Sequence, residues 1–142
     1  MKNIGMIFCL FILLVTGCSP LGTVVGLKGE SESWKVEGKI TLYDKNLEPE
    51  GIVLTYQKEE RPIKIKDVEV SFPDESNLNK KVHYDDGMEL KDKNYTVHLE
   101  SGTLNKTYSQ DELGMLLDKG YVKIAWLTPD QKELQETIMF KK

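Results

Sequence analysis

From Trp34 onward the chain alternates between apolar and polar positions. Trp34, Val36, Ile40 and Leu42 share one parity, and Lys35, Glu37, Lys39 and Thr41 share the other. Period two over that length predicts a strand with one buried face. Gly38 falls on the inner parity, which suggests a bulge or a close backbone approach. Residues 44–51 are polar and contain Pro49 and Gly51, so they are expected to turn the chain. Ile52, Leu54 and Tyr56 open a second strand, which Lys58-Glu59-Glu60-Arg61-Pro62 ends. Parity then changes within one run. Ile63 and Ile65 are odd; Val68, Val70 and Phe72 are even. A slip of one residue turns every later side chain over. The chain must therefore bulge near Lys66-Asp67 or begin a new strand there.

Residues 73–79 read as a surface loop. Val82-His83-Tyr84 and Met88-Glu89-Leu90 flank Asp85-Asp86-Gly87, whose Asp-Gly step is a hairpin signal. Tyr95, Val97 and Leu99 alternate with Thr96, His98 and Glu100, as a half-buried strand does. One helix interrupts the strands. Ser109-Gln110-Asp111-Glu112 has the form of a capping box, and Leu113, Leu116 and Leu117 form an apolar face behind it. Lys119 and Gly120 are expected to close the helix. Val122, Ile124 and Trp126 alternate with Lys123 and Ala125; Thr128-Pro129-Asp130 turns the chain; Leu134, Ile138 and Phe140 share a face after it. Seven or eight short strands and one connecting helix predict a mainly β protein, an antiparallel immunoglobulin-like β-sandwich. A small β-barrel is the alternative, since strand spacing alone does not decide closure.

The first residues follow another pattern. Lys2 is the one charge in residues 1–17, an apolar run extends from Ile4 to Val15, and Thr16-Gly17 is small. These are the three parts of a secretory signal. The run is shorter than the roughly 20 apolar residues that span a bilayer as a helix. Leu14-Val15-Thr16-Gly17-Cys18 resembles a bacterial lipobox, in which the cysteine receives lipid and becomes the first mature residue. Cys9 leaves with the leader, so Cys18 is the one cysteine of the expected mature chain. The chain thus divides into a signal peptide at 1–17, a lipidated cysteine with a flexible tether at 18–29, and a β-sandwich domain at 30–142.

Charge narrows the partners. The whole chain carries a net charge of −4, and losing Lys2 makes it more acidic. Nucleic acid calls for a basic patch, and so does a domain lying flat on anionic lipid. The expected membrane partner therefore acts through lipid on Cys18, with no nucleic acid involved. Gly29-Glu30-Ser31-Glu32-Ser33-Trp34, soon after the lipobox, resembles the opening of small Firmicutes lipoproteins of unknown function. Tyr121-Val122-Lys123-Ile124-Ala125-Trp126 and the strand after it resemble their closing hairpin. The resemblance implies a Gram-positive envelope location, on the extracytoplasmic face of the cell membrane. It carries over no catalytic residue.

Candidate chemistry is sparse. His83 and His98 are the two histidines, both on polar parities, and paired strands would set them facing one way near Asp85 or Asp86. Such a group is a weak candidate metal site, beside the plainer reading of two solvent-facing histidines. Asp44-Lys45-Asn46-Leu47-Glu48 starts like a calcium loop, but Pro49 and Thr55 stand where such a loop needs Gly and Glu. There is no Gly-x-Ser-x-Gly. The sequons at Asn94 and Asn105 read as chance in a bacterial chain. Trp34 and Trp126 share core parities, whereas Tyr43 falls on an outer one. No cofactor is expected. The expected role is a non-catalytic binding or accessory module, with an envelope protein or glycan as partner. The alternatives are a small envelope hydrolase using surface carboxylates, or a purely structural lipoprotein.

Overall fold

A computed structural model describes residues 21–61 and 63–141. In chain order the strands are β1 (Thr23–Glu30), β2 (Trp34–Tyr43), β3 (Asn46–Tyr56), β4 (Lys64–Ser71), β5 (Lys80–Glu89), β6 (Asn94–Val97) and β7 (Gly102–Thr103). After the helix α1 (Gln110–Leu117) come β8 (Tyr121–Leu127) and β9 (Glu133–Met139). Two antiparallel sheets form: β1-β2-β3-β6 with β7 beside β3, and β5-β4-β8-β9. They face each other as an open two-layer sandwich and do not close into a barrel. The layering is that of an immunoglobulin-like sandwich; the strand order is its own.

The inner parities meet in one core. Val36, Ile40, Ile52, Leu54 and Val97 come from one sheet, and Ile65, Val68, Val70, Val122, Ile124 and Ile138 from the other. Trp34, Tyr56 and Trp126 form an aromatic cluster between them. Trp34 lies 5.0 Å from Tyr56 and 5.6 Å from Trp126, centroid to centroid. Tilted and edge-on contacts of this kind add to the burial of each ring. Among the described residues the buried indole N–H groups of Trp34 and Trp126 have no hydrogen-bond acceptor. At another part of the core Phe72 stacks on Phe140 at 5.3 Å.

The parity switch in β4 is a bulge within one strand. Register shifts between Ile65 and Asp67 against both neighbours: Lys66 is an extra residue against β8, whereas against β5 it faces the four residues 84–87. Ile63, Ile65, Val68, Val70 and Phe72 are consequently all buried. At Gly38 the structure shows both expected features. Register shifts there, and a Cβ would lie 2.6 Å from Ile52 Cδ1.

Several boundaries differ from the sequence reading. Residues 23–30 are strand β1, paired along its length with β2, where the sequence pattern predicts a flexible tether over 18–29. Two glycines hide the alternation. Gly29 is an inner position where a Cβ would meet Ile138 Cγ2 and Met139 O at 2.7 Å, so the position has no room for an apolar marker. The turn expected at 44–51 shrinks to Asp44-Lys45, with Asp44 at φ 56°. Pro49 lies within β3, between the stretches that pair with β6 and β7, so on that side no ladder bond is asked of it. The Asp85-Asp86-Gly87 step makes no hairpin. β5 runs through it, and residues 84–87 form a wide bulge, since His83 opposes Asp67 and Met88 opposes Ile65. Gly87, at φ 73°, supplies the left-handed conformation the Asp-Gly pair signalled.

Helix α1 forms as its capping box predicts. Ser109 Oγ accepts from the Glu112 N–H at 3.3 Å, and Glu112 Oε2 accepts from the Ser109 N–H at 2.9 Å. The Ser109 backbone N–H, and after it the Ser109 side chain, lower the Glu112 carboxyl pKa from its ordinary value. Leu113, Leu116 and Leu117 are buried, and the helix packs against β1. The helix ends at its C-cap Asp118, and Gly120, two residues on, is a glycine for packing rather than for a left-handed cap. Its Cβ would lie 2.5 Å from the Phe72 ring and 2.9 Å from Ser71 O. No helix among the described residues is long and apolar enough to cross a membrane.

Two stability effects follow from these contacts. Ser109→Ala removes the cap acceptor and should destabilise the domain by roughly 0.5–2 kcal/mol; urea unfolding would show it as a lower midpoint. Gly120→Ala forces a methyl group against Phe72 and should cost about 1–3 kcal/mol. An unchanged melting temperature would mean the Phe72 ring moves aside freely.

Candidate functional site

The outer face of the second sheet carries a grouping of titratable side chains around the middle of β4. It arises from the β4 bulge. With Val68 and Val70 turned inward, Asp67 and Glu69 must point outward. Cross-strand register then fixes their neighbours. Glu69 lies between Lys81 of β5 and Lys123 of β8; Asp67 lies between His83 and Ala125. Opposite charges facing each other across strands stabilise the pairing modestly. The Tyr121 hydroxyl also donates to Glu69 Oε1 at 3.0 Å.

Ala125 leaves a gap in this layer of long side chains. The result is a shallow depression of about 190 Å³, lined by Asp67, Glu69, Lys81, Lys123, Ala125, Glu133 and Gln135. Its walls offer carboxylates, ammonium groups and one amide around an alanine floor. Such a surface can exchange hydrogen bonds with a polar ligand over a small area.

His83 stands at the rim. Its Nδ1 is 2.6 Å from Asp67 Oδ1, and its Nε2 is 3.1 Å from Asp85 Oδ1. Both ring nitrogens face carboxylate oxygens, an arrangement that suits the doubly protonated ring, where both are donors. The hydrogen bond to Asp67, then that residue's charge, raises the His83 pKa above its ordinary value; Asp85 adds to the shift. The wide bulge in β5 brings Asp85 here, and Lys66 Nζ donates to the Asp85 carbonyl oxygen.

The two histidines do not meet. His83 belongs to β5 in one sheet, while His98 follows β6 in the other and is exposed. A joint site requires their strands to pair, and β6 pairs with β3 instead. Among the described residues no group of three or more His, Cys, Asp or Glu side chains is arranged to hold a metal ion. Around His83 the two carboxylates take opposite edges of the ring, so no common point lies open between them.

Cys18 and the leader fall outside the described residues. Tyr43 is 38% exposed on the outer face of β2, and Trp34 and Trp126 are core, as their parities indicate. The sequence reading missed the pairing of Asp67 with His83, because a hairpin at Asp85-Asp86-Gly87 would break β5 beside His83. The available signal was the parity switch, which makes Asp67 the first outward residue after it. Ala125 was visible too, as a small residue at an outward position of β8.

Comparison with protein-family models, with curated proteins and with solved structures finds no match.

The His83 contacts have a measurable consequence. In an NMR titration His83 should show a pKa above the usual histidine value, and Asp67→Asn should bring it down. With the folded pKa raised, the stability that this contact contributes is complete below about pH 6.5, the unfolded value, and fades as pH rises through the folded one. Identical titration curves for wild type and Asp67→Asn would show that the carboxylate does not hold the proton.

Proposed function

We propose that this chain is a lipid-anchored protein of the extracytoplasmic cell envelope, of the kind found in small Gram-positive lipoproteins. Its sandwich serves as a non-catalytic binding or accessory module. The observation that carries the reading is the lipobox-like stretch ending at Cys18, three residues before Leu21, where a folded domain takes over almost at once. A diacylglyceryl group on Cys18 supplies two acyl chains. One chain holds a protein only marginally, and a second makes the attachment stable without a basic patch.

The non-catalytic half is supported by the character of the charged face. Glu69 is set between two lysines across the strands, and His83 has a carboxylate at each ring nitrogen. A general base needs a free lone pair, and a hydrolytic carboxylate pair needs a cleft with separated pKa values. The shallow face around Ala125 suits a polar partner such as a glycan or an envelope protein. It is the surface through which the module would act.

Expressed in a bacterium with lipoprotein processing, the wild-type chain should take up labelled lipid and sediment with membranes. Cys18→Ala should keep its leader or be cut elsewhere and shed. Photocrosslinking from a thiol-coupled probe at Gln135→Cys in intact membranes should join the chain to an envelope component, and a Lys81→Ala, Lys123→Ala pair, which leaves the probe in place, should weaken that product. A wild-type chain that takes up no lipid sinks the anchor; a crosslinking pattern indifferent to both lysines sinks the binding face.

A further inference from the structure

Six large hydrophobic side chains are exposed among the described residues, and three of them share one corner. Leu21 is 100% exposed, Val24 49% and Tyr43 38%. The β1–β2 register sets Val24 opposite Thr41, and one more pair along the same face brings Gly22 beside Tyr43. A Cβ on Gly22 would lie 2.6 Å from Tyr43 Cε1, so the tyrosine ring lies over the Gly22 backbone, next to Leu21. The corner thus presents an aromatic ring, the branched side chain of Val24, and a leucine just ahead of the strand. Val53, Met115 and Met139 are the other three, on β3, α1 and β9.

We propose that this corner rests in the headgroup region of the bilayer, with the Tyr43 ring at the interface. The proposal rests on lipidation of Cys18. Two residues lie between Cys18 and Leu21, and the three Cα-to-Cα steps reach at most about 11 Å. The headgroup region of one leaflet is roughly 5–8 Å deep beyond the hydrocarbon. A lipid on Cys18 therefore brings Leu21 into that layer or to its surface. Tyrosine favours this zone, because its ring takes the apolar side and its hydroxyl the wet side. A second copy of the chain fits the corner less well. Three side chains fall far short of the about 1,200 Å² of total surface that a stable protein interface buries.

The consequence is a fixed orientation. The start of β1 faces the lipid, and the charged outer face of the second sheet is left clear for a partner.

The test uses the processed, lipidated chain reconstituted in phosphatidylcholine vesicles, a neutral lipid chosen for an acidic protein. Spin labels are placed at Tyr43→Cys and, for reference, at Lys81→Cys on the other sheet; Val24→Cys provides a second reporter should Tyr43→Cys fail to fold. Each label is challenged with oxygen, which concentrates in lipid, and with a nickel complex, which stays in water. The ratio of oxygen to nickel accessibility should be several-fold higher at 43 or 24 than at 81. Equal ratios on protein that carries lipid and stays on vesicles would overturn this orientation while leaving the anchor intact. Loss of nickel access without gain of oxygen access would overturn it in favour of cover by protein. A chain that carries no lipid and leaves the vesicles removes the anchor and the orientation together.

Discussion

One extra residue in β4 sets the pattern of the second sheet. Without a bulge at Lys66, a strand that buries Ile63 and Ile65 would expose Val68, Val70 and Phe72. Each of those side chains contributes on the order of 1.5–3 kcal/mol when taken out of water. The bulge spares the chain that choice, and every apolar residue of the strand ends inside. Both neighbours of β4 must follow. β8 shifts its register at the same place, and β5 answers with the wider loop of residues 84–87. The outward placement of Asp67 and Glu69, and so the charged face as a whole, is the other half of the same event.

This is also where the sequence was most informative. A change of parity between Ile65 and Val68 is a physical contradiction unless the strand bulges, and it could be read without coordinates. The helix was equally legible, because its cap is written in consecutive residues, Ser109 to Glu112. Three things were obscured, each for a definite reason. β1 alternates, but Gly26 and Gly29 carry no side chain to show it, and at Gly29 the nearness of β9 forbids one. Pro49 looked like a strand breaker, yet it falls between the β6 and β7 pairings of β3. The Asp-Gly pair at Asp86-Gly87 did announce a left-handed residue, but that residue serves a bulge, and local chemistry does not distinguish a bulge from a hairpin.

The candidate site was less legible than the fold, since it depends on which strands are neighbours. His83 and His98 have similar sequence surroundings and opposite fates. One pairs across to Asp67 in the sheet of β4; the other hangs off the far sheet. The aromatic cluster needed the same long-range information. Trp34 and Tyr56 meet as register partners, and Trp126 reaches them from the opposite layer. What parity could supply was the side each residue takes, and that is how Tyr43 was recognised as an outer residue.

The edge position of β1 has a mechanical meaning. β1 is held by β2 on one side, and tension on the chain ahead of Thr23 would load their ladder at its open end, at the Thr23–Leu42 pair. Hydrogen bonds loaded in that way break in succession rather than together, so a modest force suffices to start the peeling. It would stop before Leu27, whose side chain is buried in the core, and Lys28, whose carbonyl accepts from the Lys141 N–H at 2.7 Å. There the residues that follow β9 pin the strand to the second sheet. The first pairs of such a zipper could open and reclose under fluctuating load while the aromatic core behind the pin stays shut.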